Sequence, residues 1–185
     1  MHSGRWRQLK IVLAILPRLG IVIDEPNQPM HKTITKTALI LALISGKAWA
    51  YEAKMPALLD LVAGIESSHN PKAIGDSGLA RGEFQFHRAA WQQVSDLRTK
   101  QGRVAYPYGD AHNREVAKGY AEDYLTIIAK SLTAKMGRKP KAWEIYAAFN
   151  RGVGGFKALG YRFDNLPSHT KRSCTKIATT LGETL

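Results

Sequence analysis

Met55-Pro56-Ala57-Leu58-Leu59-Asp60-Leu61-Val62-Ala63-Gly64-Ile65-Glu66-Ser67 is the stretch on which the rest of the chain turns. Leu58, Leu59, Val62 and Ile65 stand at i, i+1, i+4 and i+7, the spacing of one face of an α-helix. Pro56 suits the first turn, where its missing N–H costs nothing. Asn70-Pro71 is expected to end the helix, because a residue before proline avoids the helical region. Glu66 follows Ile65 at the end of the apolar run, and Gly75, Gly78 and Gly82 come soon after. A carboxyl group so placed is expected to lose part of its hydration at the edge of a cleft. Desolvation disfavours the charged form and raises the pKa. An acid that keeps its proton near neutral pH suits donation to a leaving oxygen. The competing reading is an ordinary surface glutamate on a last helical turn.

Downstream, Lys72 to Phe86 has no helical period and reads as a folded loop with a short hairpin. Arg88 to Arg98 reads as a second helix, with Ala90, Trp91, Val94 and Leu97 on one face. Gln101 to Asp110 is rich in turn residues. Asp110 is expected to cap a long helix reaching Met136, with Val116, Tyr120, Tyr124, Ile127, Ile128 and Leu132 as its stripe and Gly137 as its stop. Pro140 introduces a helix over Lys141 to Arg151, with Trp143, Tyr146, Ala147 and Asn150 available to one side. Gly152-Val153-Gly154-Gly155 reads as a tight loop, and Pro167-Ser168 opens a last helix. The sum is one compact, mostly helical domain with a little strand.

Upstream lies a different kind of segment. Met30 opens a basic stretch with Lys32 and Lys36, Thr37 to Ser45 is almost wholly apolar, and Ala48-Trp49-Ala50 presents small residues where a signal peptidase reads. That order describes a secretory signal peptide over 30–50. Its apolar run falls well short of the roughly 20 residues that span a bilayer, so no stable membrane span is expected after cleavage. Residues 1–29 hold a second apolar run broken by Pro17 and Gly20. An over-called start, with translation beginning at Met30, is the simpler account; a two-part leader is the other. The domain proper is then 51–185, and the protein is expected to be exported, periplasmic or extracellular.

Of 185 residues, 27 are Lys or Arg and 15 Asp or Glu; 20 and 13 of these fall in 51–185, a net charge of +7. For an exported protein the matching polyanion is the cell envelope. No basic block is interleaved with aromatics as a single-strand binder requires, so no nucleic acid is expected. A hydrophobic content of 44% and charged content of 23% exclude a disordered chain. The single cysteine, Cys174, excludes an internal disulfide framework. His31, His69, His87, His112 and His169 share no ligand spacing, so neither a metal nor a cofactor is expected.

Two blocks carry the chemistry. The first is Glu66-Ser67, Asn70-Pro71-x-Ala73, Gly75-Asp76, Gly78, Gly82 and Gln85; the second is Ala147-Ala148-Phe149-Asn150-Arg151-Gly152. In this order they resemble the lytic transglycosylases of the lysozyme-like superfamily and the goose-type lysozymes, over about Pro56 to Leu166. Those families have Leu-Met before the glutamine where this chain has Glu83-Phe84, and tyrosine where it has Phe149. Some carry an aspartate two residues past the glutamine, at the place of His87.

The resemblance implies a mainly α, α+β lysozyme-like domain with a small Gly-rich loop or β-hairpin beside an active-site cleft. It implies cleavage of the MurNAc–GlcNAc β-1,4 bond of peptidoglycan glycan strands. Glu66 would be the catalytic acid and then the base of the second half-reaction. Ser67, Gln85 and Asn150 would bind substrate, and Gly78 and Gly82 would let the backbone approach the glycan. Tyr161, after Gly160, is the best candidate to stack on a sugar. A lytic transglycosylase, the first expectation, needs one carboxyl group, because the substrate's own 6-hydroxyl closes on C1; a muramidase is the alternative. An inverting muramidase needs a second group some 6.5–9.5 Å away to activate water. Asp76 and Glu83 both compete for that place; strand alternation from Gln85 would put Glu83 on the glutamine's side. A non-catalytic envelope module with the same fold is the remaining alternative, kept in play by Glu83.

Overall fold

The structure, a computed structural model, describes residues 54–185, which fall within one compact unit. The expected signal peptide over 30–50 and the upstream stretch lie outside the described residues. Five α-helices and a three-stranded sheet build the domain, which is mainly α as expected.

Helix α1, Met55–Ser67, buries Met55, Leu58, Leu59, Val62 and Ala63. It ends before the proline. Ser68 and His69 both turn left-handed (φ 54° and 60°), and their amides return to the carbonyls of Gly64 and Ala63. The last carbonyls are thereby satisfied locally. Strands β1 (Ile74–Gly75), β2 (Ala80–Arg81) and β3 (Phe86–His87) follow in antiparallel order, with Gly75 opposite Ala80 and Ala80 opposite His87. The expected hairpin is thus a small sheet. Tyr108 fixes it to the helices, its hydroxyl lying 2.8 and 2.7 Å from the carbonyls of Leu79 and Phe86.

Helix α2, Arg88–Lys100, buries Trp91 and Val94. Helix α3, Arg114–Met136, starts later than Asp110, which sits in a short 3-10 turn over Tyr108–His112. Asn113 is the cap instead: its extended backbone brings Oδ1 within 3.1 and 3.3 Å of the Glu115 and Val116 amides. Of the anticipated stripe, Tyr120, Ile128 and Leu132 are buried, while Val116, Tyr124 and Ile127 are half-buried beside them. Gly137 (φ 68°) stops the helix as expected. Helix α4, Ala142–Ala158, continues through the glycine cluster, and the anticipated loop shrinks to one break at Gly152 (φ 72°, ψ 151°). Helix α5, Ser168–Thr180, follows Pro167.

Helix α4 packs against both α3 and α5. The aromatic centre is Trp91 stacked on Tyr120, ring centroids 3.7 Å apart, with Phe86 edge-on to Trp91 at 5.3 Å. Through Phe86 the last strand is wedged into the helical core, while the next residue, His87, stays exposed. Cys174 is fully buried, 3.5 Å from the Trp143 carbonyl, and burial pushes its thiol up to about 12. It is a packing residue rather than a nucleophile. Among the described residues no helix is long and apolar enough to cross a membrane.

Candidate active site

Glu66 occupies the last turn of α1, half-buried where that helix meets α4. Tyr146 of α4 donates its hydroxyl to Glu66 Oε1 at 3.0 Å. Burial holds the Glu66 pKa above the ordinary carboxylate range; the tyrosine hydrogen bond opposes this, and the charge of Asp76 reinforces it. Burial and the neighbouring glutamate also push the Tyr146 phenol upward, so it stays a donor. The Tyr146 proton occupies Oε1, which leaves Oε2 as the atom free to carry the transferable one. This is the environment of a general acid.

Tyr146 was not singled out for catalysis by the sequence. The signal was there: it lies four residues before Asn150, on the same helical face. Phe149 stacks on Tyr146, rings 21° apart, and meets Phe86 and Tyr124 at steep angles. Phe149 thus packs among aromatic rings alone. Tyr146→Phe removes the contact that lowers the Glu66 pKa. The alkaline limb of any pH–rate profile is therefore expected to move to higher pH, while the acid's orientation loosens and turnover falls; an unmoved limb would show that the contact does not tune the acid.

The other anticipated residues separate into two groups. Asp76 and Gln85 gather on the sheet, beside His87, which the sequence did not single out. Asp76 is exposed with a left-handed backbone (φ 47°), and its Oδ2 is 2.8 Å from His87 Nε2. Gln85, also left-handed (φ 48°), donates Nε2 to the Gly82 carbonyl at 2.8 Å and lays Oε1 against Gly75, where a Cβ would collide with it. Asn150 accepts from Thr170 Oγ1 at 2.9 Å, which leaves its NH2 group for a ligand. Gly78 (φ 96°) has open space where a side chain would stand, as close approach of a glycan requires.

Ser67, Glu83, Gly82 and Tyr161 are engaged within the protein. Ser67 donates to the Glu83 carbonyl at 2.8 Å and accepts from the Asn70 amide at 3.0 Å, which ties the loop to the helix end. Tyr161 packs perpendicular to Phe156, and its hydroxyl oxygen is buried without a hydrogen-bond partner. The alternation expected to bring Glu83 beside Gln85 fails because β3 begins only at Phe86 and the left-handed Gln85 breaks the run. Glu83 is instead 5% exposed, 3.1 Å from Arg114 Nε and 3.5 Å from His69 Nδ1. It lines a cleft of about 390 Å³ with Leu59, Ala63 and Phe84, and Glu66 is not part of that cleft. Neither Arg114 nor His69 was legible as its partner.

Glu83→Gln removes the negative charge that a buried side chain sets against Arg114 and His69 and is expected to cost roughly 1–3 kcal/mol of stability. Turnover per folded molecule should stay at the wild-type level, as urea titration beside initial rates will show. A loss of turnover at full stability would return Glu83 to the chemistry.

Among the described residues no three His, Cys, Asp or Glu side chains converge as a metal site. Comparisons with family models, with curated proteins and with solved structures give no significant match to this chain.

Proposed function

We propose that this chain cleaves peptidoglycan glycan strands at the MurNAc–GlcNAc β-1,4 bond, with Glu66 as the proton donor. The observation that carries the proposal is the Glu66 carboxyl group, half-buried at a helix end, raised in pKa and held by Tyr146 at 3.0 Å. The two ordered motifs, Glu66 to Gln85 and Ala147 to Gly152, support a lysozyme-like reading of the domain. The basic charge of 51–185 and the signal-like 30–50 segment fit an exported, periplasmic or extracellular enzyme acting on an acidic envelope.

Protonation of the glycosidic oxygen by Glu66 lets the C1–O bond break through an oxocarbenium-like state. Two fates of C1 follow. Closure by the substrate's 6-hydroxyl, with Glu66 as the returning base, makes the enzyme a lytic transglycosylase and is the reading the one-glutamate motif favours. Capture by water makes it a muramidase and is favoured by the carboxylate of Asp76, close enough for its charge to act on Glu66. Glu83 no longer argues for a non-catalytic module, because its ion pairs account for its presence. Zymography on purified cell wall tests the activity, and mass analysis of the digest tests the fate of C1. Anhydro ends mean transglycosylation, reducing ends mean hydrolysis, and absence of clearing would leave a binding module.

A further inference from the structure

We propose that the cleft lined by Glu83 is a second binding site, which takes the stem peptide of the glycan strand while the sugar bond lies at Glu66. This rests on the peptidoglycan reading above and places the part of the substrate which that reading leaves out.

The cleft, of about 390 Å³, opens where helix α1, the segment before β3 and the first turns of α3 meet. Small-ligand sites run from about 300 to 1,000 Å³. Its floor is apolar and made of Leu59, Ala63 and Phe84, all buried.

One wall is an arginine held in place. Arg114 gives Nε to Glu83 Oε2 at 3.1 Å and Nη2 to the His69 carbonyl at 2.8 Å. Glu83 is buried, so the anchor lies inside the protein, whereas 55% of the Arg114 side chain is exposed. Its remaining nitrogen, Nη1, has no partner among the described residues. A guanidinium fixed in this way loses little freedom on binding, and its planar fork suits a carboxylate. Lys118 stands at i+4 from Arg114 and so shares its helical face. It lines the same cleft, is exposed, and has no hydrogen bond or ion pair among the described residues. Arg114 and Lys118 together form a receptor for a carboxylate.

The opposite sign is present as well. Asp60 of α1 and Glu115 of α3 line the cleft, are exposed, and carry no ion pair among the described residues. This mixture selects among ligands. A polymer of phosphates would meet the two carboxylates. A purely apolar ligand would strip water from the charged groups and offset none of that cost. A chain with both signs and small side chains answers all three features. The stem peptide is such a chain: its carboxylates match Arg114 and Lys118, the ammonium of its diamino acid matches Asp60 and Glu115, and its alanine methyl groups match the floor.

The cleft also adjoins the turn that carries the acid. Ala63 of the floor and Glu66 are i and i+3, neighbours on one side of α1 and about 4.5 Å apart along its axis. Ser67, next after Glu66, donates to the Glu83 carbonyl at 2.8 Å and so ties the cleft wall to the helix end. A peptide residue spans up to about 3.6 Å, so the first residues of a stem joined to a sugar at Glu66 cover the distance.

The test follows backbone amide shifts of the full chain while free stem tetrapeptide is added. Saturable shifts at Leu59, Ala63, Phe84 and Lys118 are expected. Lys118→Glu changes an exposed side chain that has no partner, so the fold is kept, and the apparent Kd should rise about tenfold or more, the worth of one charge-assisted contact. Asp60→Asn should weaken the tetrapeptide but not the same peptide with its side-chain amine acetylated. Steady-state digestion is the second readout. Soluble glycan chains that bear stems should show a lower KM than the same chains stripped of them, and Lys118→Glu should erase the difference, with the loss falling on KM.

No saturable shift, or shifts confined to another face of the domain, overturns this inference; if cell wall is still cleared, the glycosidase reading stands. Equal tetrapeptide binding by wild type and Lys118→Glu overturns it too, as do equal KM values for stem-bearing and stripped chains. Tetrapeptide binding that depends on Lys118, in a chain that clears no cell wall, upholds the site and removes the catalytic reading instead.

Discussion

Glu66→Gln is expected to leave a folded protein that no longer clears cell wall. The glutamine keeps the size of the side chain and still accepts the Tyr146 hydrogen bond, now 3.0 Å to the glutamate. What it lacks is the proton. General acid catalysis is worth about 10²–10⁴-fold, and more where one group serves both halves of a reaction. The sign of the pH effects follows from the raised pKa. The reactive form is the protonated one, so activity is lost as pH rises through the folded-state pKa. Burial places that limb above the range of an ordinary glutamate. Stability runs in the same sense: a carboxyl whose pKa is raised by folding contributes fully below its unfolded pKa, and the contribution is lost as pH climbs past the folded one. Above the folded-state pKa the wild type buries an ionised carboxylate and the variant a neutral amide. Glu66→Gln should therefore melt higher than wild type on the alkaline side of the activity limb, and the gap should close as pH falls. Wild-type turnover by this variant, with a native circular dichroism spectrum, would remove the catalytic assignment and give the binding module its place.

The position of Glu66 at a helix end was legible because the period of Leu58, Leu59, Val62 and Ile65 is local and uninterrupted. The same holds for α2 and the long α3, whose apolar residues recur at helical spacing over several turns. What sequence reading missed was decided by competition or by distance. Asp110 and Asn113 are both good caps three residues apart, and the 3-10 turn over Tyr108–His112 gave the place to Asn113. The glycines after Arg151 look like a loop, yet Gly152 alone leaves the helical region. Glu83 depended on a register that the left-handed Gln85 resets, and its partner Arg114 is 31 residues away. Tyr146 comes to Glu66 from 80 residues away, a separation at which no local pattern reports contact. The place of Glu66 was readable from its own helix, and the group that holds it was not.

Gly82→Ala is expected to be the most damaging single-methyl change in the domain, costing on the order of 3–5 kcal/mol, beyond the usual range for point substitutions. Two effects add. The backbone at Gly82 is left-handed (φ 74°), which costs an alanine about 1–2 kcal/mol. A Cβ there would also collide with the Ala111 carbonyl oxygen. That oxygen belongs to the 3-10 turn before α3, a backbone atom with no rotamer to yield, so either the turn or the sheet must shift. Movement spreads from both sides of the residue: the Gly82 amide donates to the Ala73 carbonyl at 2.9 Å, and its own carbonyl accepts from the Gln85 amide and side chain. The bare face of Gly82 is thus filled by the protein itself and is not the approach path for a glycan that the motif implied. Gly78 is the control. Its φ is 96° and nothing lies within 4 Å of the absent Cβ, so Gly78→Ala should show only the conformational penalty. Urea titrations of the two variants decide the point: equal losses would mean that the contact with Ala111 yields freely, whereas a gap of about 2 kcal/mol or more is the cost of forcing a methyl group between two backbones.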